Sequence, residues 1–179
     1  MTTEVRFEAR QVLPPIEHLI AQLGPACHRI ELAGAVRRGN RELDLVDLLA
    51  IPRIDPKRNL LWELLDGWKE LLHGRSGEFS RVFYWPVSPD QSIQVNLYTA
   101  RADTWGNALV HRTGPEDFWL YLVGRLREEG FISRNNEIIR LADNTLAPCR
   151  EEEDFFALAR AHVRPPQSRA GFGSERSSW

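Results

Sequence analysis

Several features that define special classes of protein are scarce or missing in this sequence. Its 179 residues contain only two cysteines, Cys27 and Cys149, and no histidine cluster lies near either of them at zinc-ligand spacing. This argues against a structural zinc site and fits a reducing compartment. No segment approaches about 18 uninterrupted apolar residues, and the opening MTTEVRFEAR lacks the apolar core of a secretion signal. We therefore expect a cytoplasmic protein with no membrane partner.

The sequence also lacks an excess of either charge. It has 23 basic and 25 acidic residues, which give a formal net charge of −2. An overall basic field for nucleic acid is absent, so any such site must be a local patch. The hydrophobic fraction of 42% and the charged fraction of 27% are those of an ordinary globular protein. The length suits one well-buried domain, or a domain with a small additional lobe.

Apolar periodicity predicts interleaved helices and strands in the first hundred residues. The predicted helices are LPPIEHLIAQLG, opened by proline, and PKRNLLWELLDGWKELLHG, which Gly74 ends. The predicted strands are HRIELAG, residues 42–51, and the runs FSRVFYWPV and SIQVNLYTA, which the turn SPDQ joins. Helices and strands interleaved around one sheet indicate an α/β or α+β core.

Beyond residue 100 the pattern becomes mainly helical. TGPEDFWLYLVGRLREEG is a predicted helix with Thr113 as its cap, FISRNNEIIRL is a predicted hairpin, and EEEDFFALARAHV is a predicted last helix. The final residues, PPQSRAGFGSERSSW, have the composition of a disordered tail. The predicted organisation is a domain over 1–100, a lobe over 101–165 and a tail over 166–179.

A turn rich in glycine and arginine, GAVRRG, separates two of the predicted strands. Gly34 and Gly39 would let backbone N–H groups approach a ligand closely, and Arg37 and Arg38 supply guanidinium groups suited to phosphate oxygens. The turn therefore predicts an anion site. The alternative is a surface turn with two solvated arginines, because short glycine and arginine motifs are common.

The longer stretch GAVRRGNRELDLVDLLAIP resembles the palm signature of the family X, or DNA polymerase beta-like, nucleotidyltransferases. IQVNLYTA resembles the family's strand that carries a third aspartate, and WGNALVHRTGPEDFW resembles its thumb segment with Thr-Gly. EEEDFFALARAHVRPPQSR resembles its closing helix and Pro/Arg stretch, and the motifs occur in order over roughly residues 13 to 169. The resemblance implies an α+β fold: a polymerase beta-like palm with a mixed sheet and helices, followed by a small, mainly helical thumb lobe.

The resemblance also implies a site for two divalent ions, Mg²⁺ or Mn²⁺, held by three carboxylates. Counted without gaps from Gly39, the second acid falls on Asp47, the first on Leu45 and the third on Asn96. Asp44 could supply the missing first acid only if a β-bulge brings it to the same strand face as Asp47. The implied metal ligands are Asp47 and, as a doubtful second ligand, Asp44. An inactive protein would need no cofactor.

A nucleotide site is implied by the same motifs. Its residues would be Gly34, Ala35, Arg37, Arg38, Gly39, His111, Thr113 and Gly114. Ala35 replaces the serine of the family, and His111 lies near the point where the family packs an aromatic side chain against the sugar. Trp119 occupies the position of a residue that faces the DNA minor groove, where an indole could stack on a base. The alternatives are a surface histidine and a core tryptophan.

Three functions are consistent with these motifs. We rank first a catalytically degenerate relative whose partner is a nucleoside triphosphate, DNA or another protein. The alternative is an active minimal repair-type polymerase that uses Asp44 and Asp47 with Mg²⁺. The third is an accessory nucleotidyltransferase-fold partner of a toxin or other protein, which should lack the Thr-Gly and closing Pro/Arg segments. The family interpretation further predicts that Asp47 and Asn96 lie side by side on adjacent strands.

Overall fold

The computed structural model describes residues 6–169. The chain divides into two units, and the boundary lies between Thr99 and Ala100. The helices of the first unit are α1 (Ala9–Leu23), α2 (Gly34–Arg37) and α3 (Leu60–Asp66). Those of the second are α4 (Trp105–Thr113), α5 (Glu116–Glu128) and α6 (Glu152–Leu158), and short 3-10 turns occur at Gly24–Ala26 and Pro166–Ser168. No helix of the described residues is long and apolar enough to cross a membrane.

Strands occur in both units. The first unit contains β1 (Phe7–Glu8), β2 (Cys27–Leu32), β3 (Glu42–Leu43), β4 (Leu45–Pro52), β5 (Ile54–Asp55), β6 (Arg58–Asn59), β7 (His73–Gly77), β8 (Ser80–Ser88) and β9 (Gln91–Thr99). The second contains β10 (Phe131–Arg134), β11 (Glu137–Arg140) and β12 (Leu146–Ala147), which form a small antiparallel sheet.

The main sheet of the first unit is mixed. Its strand order is β2-β4-β9-β8-β7, in which β4 and β9 are parallel and the other neighbours are antiparallel. The pairs β1-β3 and β5-β6 form two further two-stranded sheets. The predicted α+β class with a mixed sheet is therefore confirmed.

One face of this sheet is apolar and packs into the core of the first unit. Its buried residues on three neighbouring strands are Val46, Leu48, Ala50, Phe83, Ile93, Val95 and Leu97. Successive side chains of a strand point to opposite faces. Asp47 lies between Val46 and Leu48, and Asn96 between Val95 and Leu97, so both side chains belong to the other face. The core pattern thus places the candidate polar residues together.

The second unit has a separate apolar core. It is built from α4, α5, α6 and β11, and its buried residues include Val110, Phe118, Leu122, Leu126, Ile138, Phe155 and Phe156. The predicted hairpin is confirmed: β10 and β11 pair through a turn at Asn135 and Asn136, whose φ angles are 51° and 63°. Asparagine tolerates this left-handed backbone better than most residues, and a hairpin of two residues requires it.

Two predicted helix boundaries in the first unit are wrong. Helix α1 begins at Ala9, ahead of its prolines, because Glu8 and Gln11 form a reciprocal capping box. Helix α3 ends at Asp66, where the N–H of Gly67 closes the last turn on Glu63. The residues beyond it enter the sheet: the carbonyl of Leu72 accepts from the N–H of Tyr84, and strand β7 follows. Gly74 therefore lies in a strand and does not end a helix.

The predicted cap of the thumb-like helix is also wrong. Thr113 is the last residue of α4, a helix that the sequence pattern did not single out. Helix α5 begins at Glu116 with Pro115 as its N-cap residue, and two acidic side chains in its first turn favour the positive end of the helix dipole. Helix α6 ends at Leu158, earlier than predicted.

Arg169 ties the end of the described chain to the second unit. Its guanidinium is 1% exposed, and it donates hydrogen bonds of 2.9 Å each to Oε1 of Glu152 and to the carbonyl oxygen of Arg164. The rings of Phe118 and Phe156 lie 5.6 and 5.5 Å from the guanidinium carbon. These contacts are those of an ordered, buried cation.

This packing corrects the predicted start of the tail. The tail was placed at 166–179, yet residues 166–169 contain a 3-10 turn and a buried side chain. Composition could not predict the order of this segment, because the partner of Arg169 is Glu152, which is 17 residues away in the sequence. The remainder of the predicted tail, 170–179, lies outside the described residues.

Candidate functional site

Asp47 and Asn96 form the centre of the candidate site. They lie opposite each other on β4 and β9, which stay in continuous register from Leu45 to Ala50. Nδ2 of Asn96 donates a hydrogen bond of 3.0 Å to Oδ1 of Asp47. The predicted arrangement of these two residues side by side on adjacent strands is therefore confirmed.

The Asn96 amide is oriented by further polar side chains on the same face. Nε2 of Gln94 donates to Oδ1 of Asn96 at 2.9 Å, and the hydroxyl of Tyr84 donates to Oε1 of Gln94 at 3.5 Å. Because the Asn96 oxygen accepts from Gln94, its nitrogen is directed toward Asp47. The result is a chain of hydrogen bonds across β8, β9 and β4, which we call the amide ladder (Tyr84, Gln94, Asn96 and Asp47).

The glycine at the start of the arginine turn makes room for the Asp47 carboxylate. A Cβ atom added to Gly34 would lie 2.1 Å from Oδ2 of Asp47, and the φ angle of Gly34 is 58°. The backbone of Asp47 also holds the turn, since its carbonyl accepts from the N–H of Ala33 at 2.8 Å. Gly34 is thus required both for its left-handed backbone and for its lack of a side chain.

Three backbone N–H groups of the turn donate hydrogen bonds to nearby backbone oxygens. The N–H groups of Arg37, Arg38 and Gly39 donate to backbone oxygens within residues 33–36, at 2.9–3.3 Å. These three N–H groups are therefore used within the turn, and the anion site stays a prediction. Ala35 packs against the core of the first unit. The side chains of Arg37 and Arg38 are half-buried.

Asp44 lies apart from this arrangement. It is exposed, precedes β4, and its Oδ1 accepts from the N–H of Leu45 at 3.0 Å. The register of β4 with β9 begins at Leu45 and contains no bulge before Asp47. Asp44 therefore stands at a bend between β3 and β4, outside the ladder that holds Asp47.

The donors on this face do not fit the two-metal site that the family resemblance implies. Leu45 shares the face of Asp47 and offers no donor atom, while Asn96 offers a neutral amide whose nitrogen already faces the carboxylate. Two divalent ions require several anionic oxygens to offset their charge. Among residues 6–169, no group of three or more His, Cys, Asp or Glu side chains is placed to hold a metal ion.

The second unit brings together two of the other candidate residues. The rings of His111 and Trp119 stack with centroids 4.5 Å apart and planes inclined by 22°, and Phe155 packs against Trp119 at 5.5 Å. Burial, with a smaller contribution from the charge of Arg112, lowers the pKa of His111 to about 4. His111 is therefore neutral near pH 7, and it presents a half-buried ring instead of a cation.

Thr113 and Gly114 lie at the junction of α4 and α5. Both are buried, and the φ angle of Gly114 is 56°. The left-handed backbone at Gly114 turns the chain between the two helices, which accounts for a glycine at this position. Trp119 is half-buried and packs against the core of the second unit. The alternative of a core tryptophan therefore accounts for the buried part of its ring.

Sequence reasoning missed Gln94 and Tyr84. Gln94 could have been found, because it stands two residues before Asn96 and a strand places such residues on the same face. Tyr84 could not, because its position opposite Gln94 depends on the pairing of β8 with β9.

A scan against protein-family models finds no match for the chain, and a search of curated proteins finds no significant relative.

Proposed function

We propose that this chain is a DNA polymerase beta-like nucleotidyltransferase-fold protein that binds a nucleotide or nucleic acid without efficient metal-dependent transfer. The observation that carries the proposal is the in-register pair of Asp47 and Asn96 on parallel neighbouring strands. In the family interpretation, these are the positions of two metal-binding acids. The geometry of the pair suits that interpretation, whereas the chemistry of Asn96 removes one of its charges.

The arginine turn supports the assignment of an anionic ligand. Arg37 ends the short helix α2 and Arg38 is its C-cap, and the first residue of that helix, Gly34, contacts Asp47 of the amide ladder. Guanidinium groups bind phosphate oxygens through paired, charge-assisted hydrogen bonds. A nucleoside triphosphate or a nucleic-acid backbone supplies such oxygens. Because the net charge of the chain is −2, the arginine turn would act as a local basic patch.

Catalysis by Asp44 and Asp47 has less support. Asp44 stands in a bend before β4, and Asp47 is the one carboxylate that β4 and β9 place on the face of the amide ladder. Glu31 on β2 lies opposite Leu49 on the same face, where it pairs with Arg29 at 2.8 Å. A single carboxylate offsets little of the charge of a divalent ion. Without a firmly bound ion, the pKa of an attacking hydroxyl group is not lowered. We therefore place the function in binding.

The proposal predicts that the arginine turn determines affinity for phosphate-containing ligands. Replacing both arginines (Arg37→Ala with Arg38→Ala) should weaken binding of a nucleoside triphosphate or single-stranded DNA at least about tenfold, because each charged contact contributes about 1.5–3 kcal/mol. Fluorescence anisotropy with a labelled triphosphate and a labelled oligonucleotide measures the change.

The matched control removes two exposed positive charges elsewhere in the same unit. Arg10 and Arg41 are both exposed, so Arg10→Ala with Arg41→Ala changes the net charge equally without touching the turn. The control should bind within about threefold of the unmodified chain, and circular dichroism checks that both variants stay folded. Equal affinity in the turn variant and the control would contradict the assignment of the turn.

A further inference from the structure

The carboxylate of Asp47 is occupied by contacts within the protein. Oδ1 accepts from Asn96, and Oδ2 lies against the backbone of Gly34. Both oxygens of the carboxylate thus face protein atoms. An ion beside Oδ1 would meet the partially positive amide hydrogens of Asn96, where the family resemblance implies a carboxylate.

The amide ladder makes a rotation of the Asn96 amide unfavourable. Turning the Asn96 amide to offer its oxygen to an ion would break its bond to Asp47 and also the bond that it accepts from Gln94. Asn96 is 9% exposed, so water cannot readily replace both partners, and a buried polar group without a partner is costly. The ladder therefore stabilises the arrangement in which no ion is bound.

Asp47 instead holds the arginine turn in place. Its side chain packs against Gly34, its carbonyl accepts from Ala33, and α2 packs on β4 at this point. The residues that follow are Arg37 and Arg38. A carboxylate at this position fixes the start of the turn that carries the two guanidinium groups. Asp47 is on this basis a positioning residue for the anion site.

We propose that the site takes a polyphosphate in its metal-free form, with the charge of the phosphates offset by arginine and not by a divalent cation. This inference rests on the proposed function, and it names the form of the ligand. Magnesium neutralises part of the negative charge of a triphosphate, which weakens its attraction to guanidinium groups. Asp47 is engaged by Asn96, and Leu45 and Asn96 supply no second carboxylate, so the site offers the metal complex little in return.

The test compares triphosphate binding with and without a divalent ion. The full chain is titrated with ATP by calorimetry at constant ionic strength, once in EDTA and once in excess magnesium. We expect affinity in EDTA to equal or exceed affinity in magnesium. Tighter binding in magnesium would overturn the inference and leave the proposed function standing, whereas no binding in either condition would overturn the proposed function itself.

A variant of the ladder tests the cause. Asn96→Asp places a second carboxylate beside Asp47, and it should weaken ATP binding in EDTA and restore it in magnesium. Gln91→Glu is the matched control, because Gln91 is exposed at the start of the same strand and the substitution adds the same charge. Manganese alone, followed by its paramagnetic effect on water relaxation, should bind the Asn96→Asp chain and not the control.

Each outcome for the variant bears on the inference. Magnesium dependence in Asn96→Asp alone supports the ladder as the feature that excludes the ion. A variant that stays indifferent to magnesium, or a control that becomes equally dependent on it, would contradict that role. Circular dichroism establishes whether Asn96→Asp folds; if it does not, the comparison of EDTA with magnesium on the unmodified chain decides the question.

Discussion

At the scale of single residues, Gly34 and Asp47 depend on each other. The carboxylate occupies the space that a side chain at position 34 would need, and the backbone at Gly34 has a φ angle of 58°. Glycine is the residue that adopts this conformation without steric cost. The arginine turn therefore starts at a residue without a Cβ atom, and the carboxylate of Asp47 occupies the space that this atom would need.

The contact predicts a large effect of Gly34→Ala. The left-handed backbone alone should cost about 1–2 kcal/mol, and the new methyl group must also displace Asp47 from 2.1 Å. We expect a lower free energy of unfolding, measured by urea denaturation, together with weaker triphosphate binding. Gly124→Ala is the control, because Gly124 is an exposed residue inside helix α5 and nothing lies within 4 Å of a Cβ atom there. Similar stability in the two variants would contradict this account of the turn.

At the scale of secondary-structure elements, Arg169 joins the closing segment to helix α6. The ion pair with Glu152 is almost fully buried, with side chains 1% and 10% exposed. Pairs of this kind add little net stability compared with apolar residues, yet losing one partner leaves a buried charge without compensation. The segment should therefore be held firmly while both partners are present.

Replacing one partner should reveal this dependence. Glu152→Gln should lower the free energy of unfolding by about 3–5 kcal/mol, because the guanidinium of Arg169 stays buried without a counter-charge. Urea denaturation followed by far-UV circular dichroism measures the loss. Glu153→Gln, at the exposed neighbouring position of the same helix, is the matched control and should change stability by less than about 0.5 kcal/mol. A loss of the same size in both variants would show that the buried pair is not the cause.

The elements also show what local pattern can and cannot predict. The pairing of Asp47 with Asn96 was predicted from the family resemblance, which implies that the strands carrying these two positions are neighbours. The early end of α3 was not, because Leu71 and Leu72 continue the helical spacing while Leu72 pairs with Tyr84 in the sheet. Tertiary hydrogen bonds decided that boundary.

At the scale of the whole molecule, the order of predicted elements indicated an α/β or α+β fold and the family resemblance implied α+β, but neither gave the interactions that define the site. The amide ladder joins residues from three strands, and the ion pair of Arg169 joins positions 17 residues apart. Such contacts depend on the register and packing of elements, which periodicity does not encode. The chemical conclusion therefore depends on the structure: one carboxylate, engaged by an amide, occupies the position at which the family resemblance implies a metal centre.

The central claim is that this centre does not support metal-dependent nucleotide transfer. The most direct measurement supplies the full chain with gapped and primed DNA, the four deoxynucleoside triphosphates and Mg²⁺ or Mn²⁺, and follows primer extension on a gel. We predict no extension above background for the unmodified chain, because Asp47 alone offsets too little of the charge of two ions. The double variant Leu45→Asp with Asn96→Asp should bind metal more tightly and gain extension. Robust extension by the unmodified chain, abolished by Asp47→Ala, would contradict the claim.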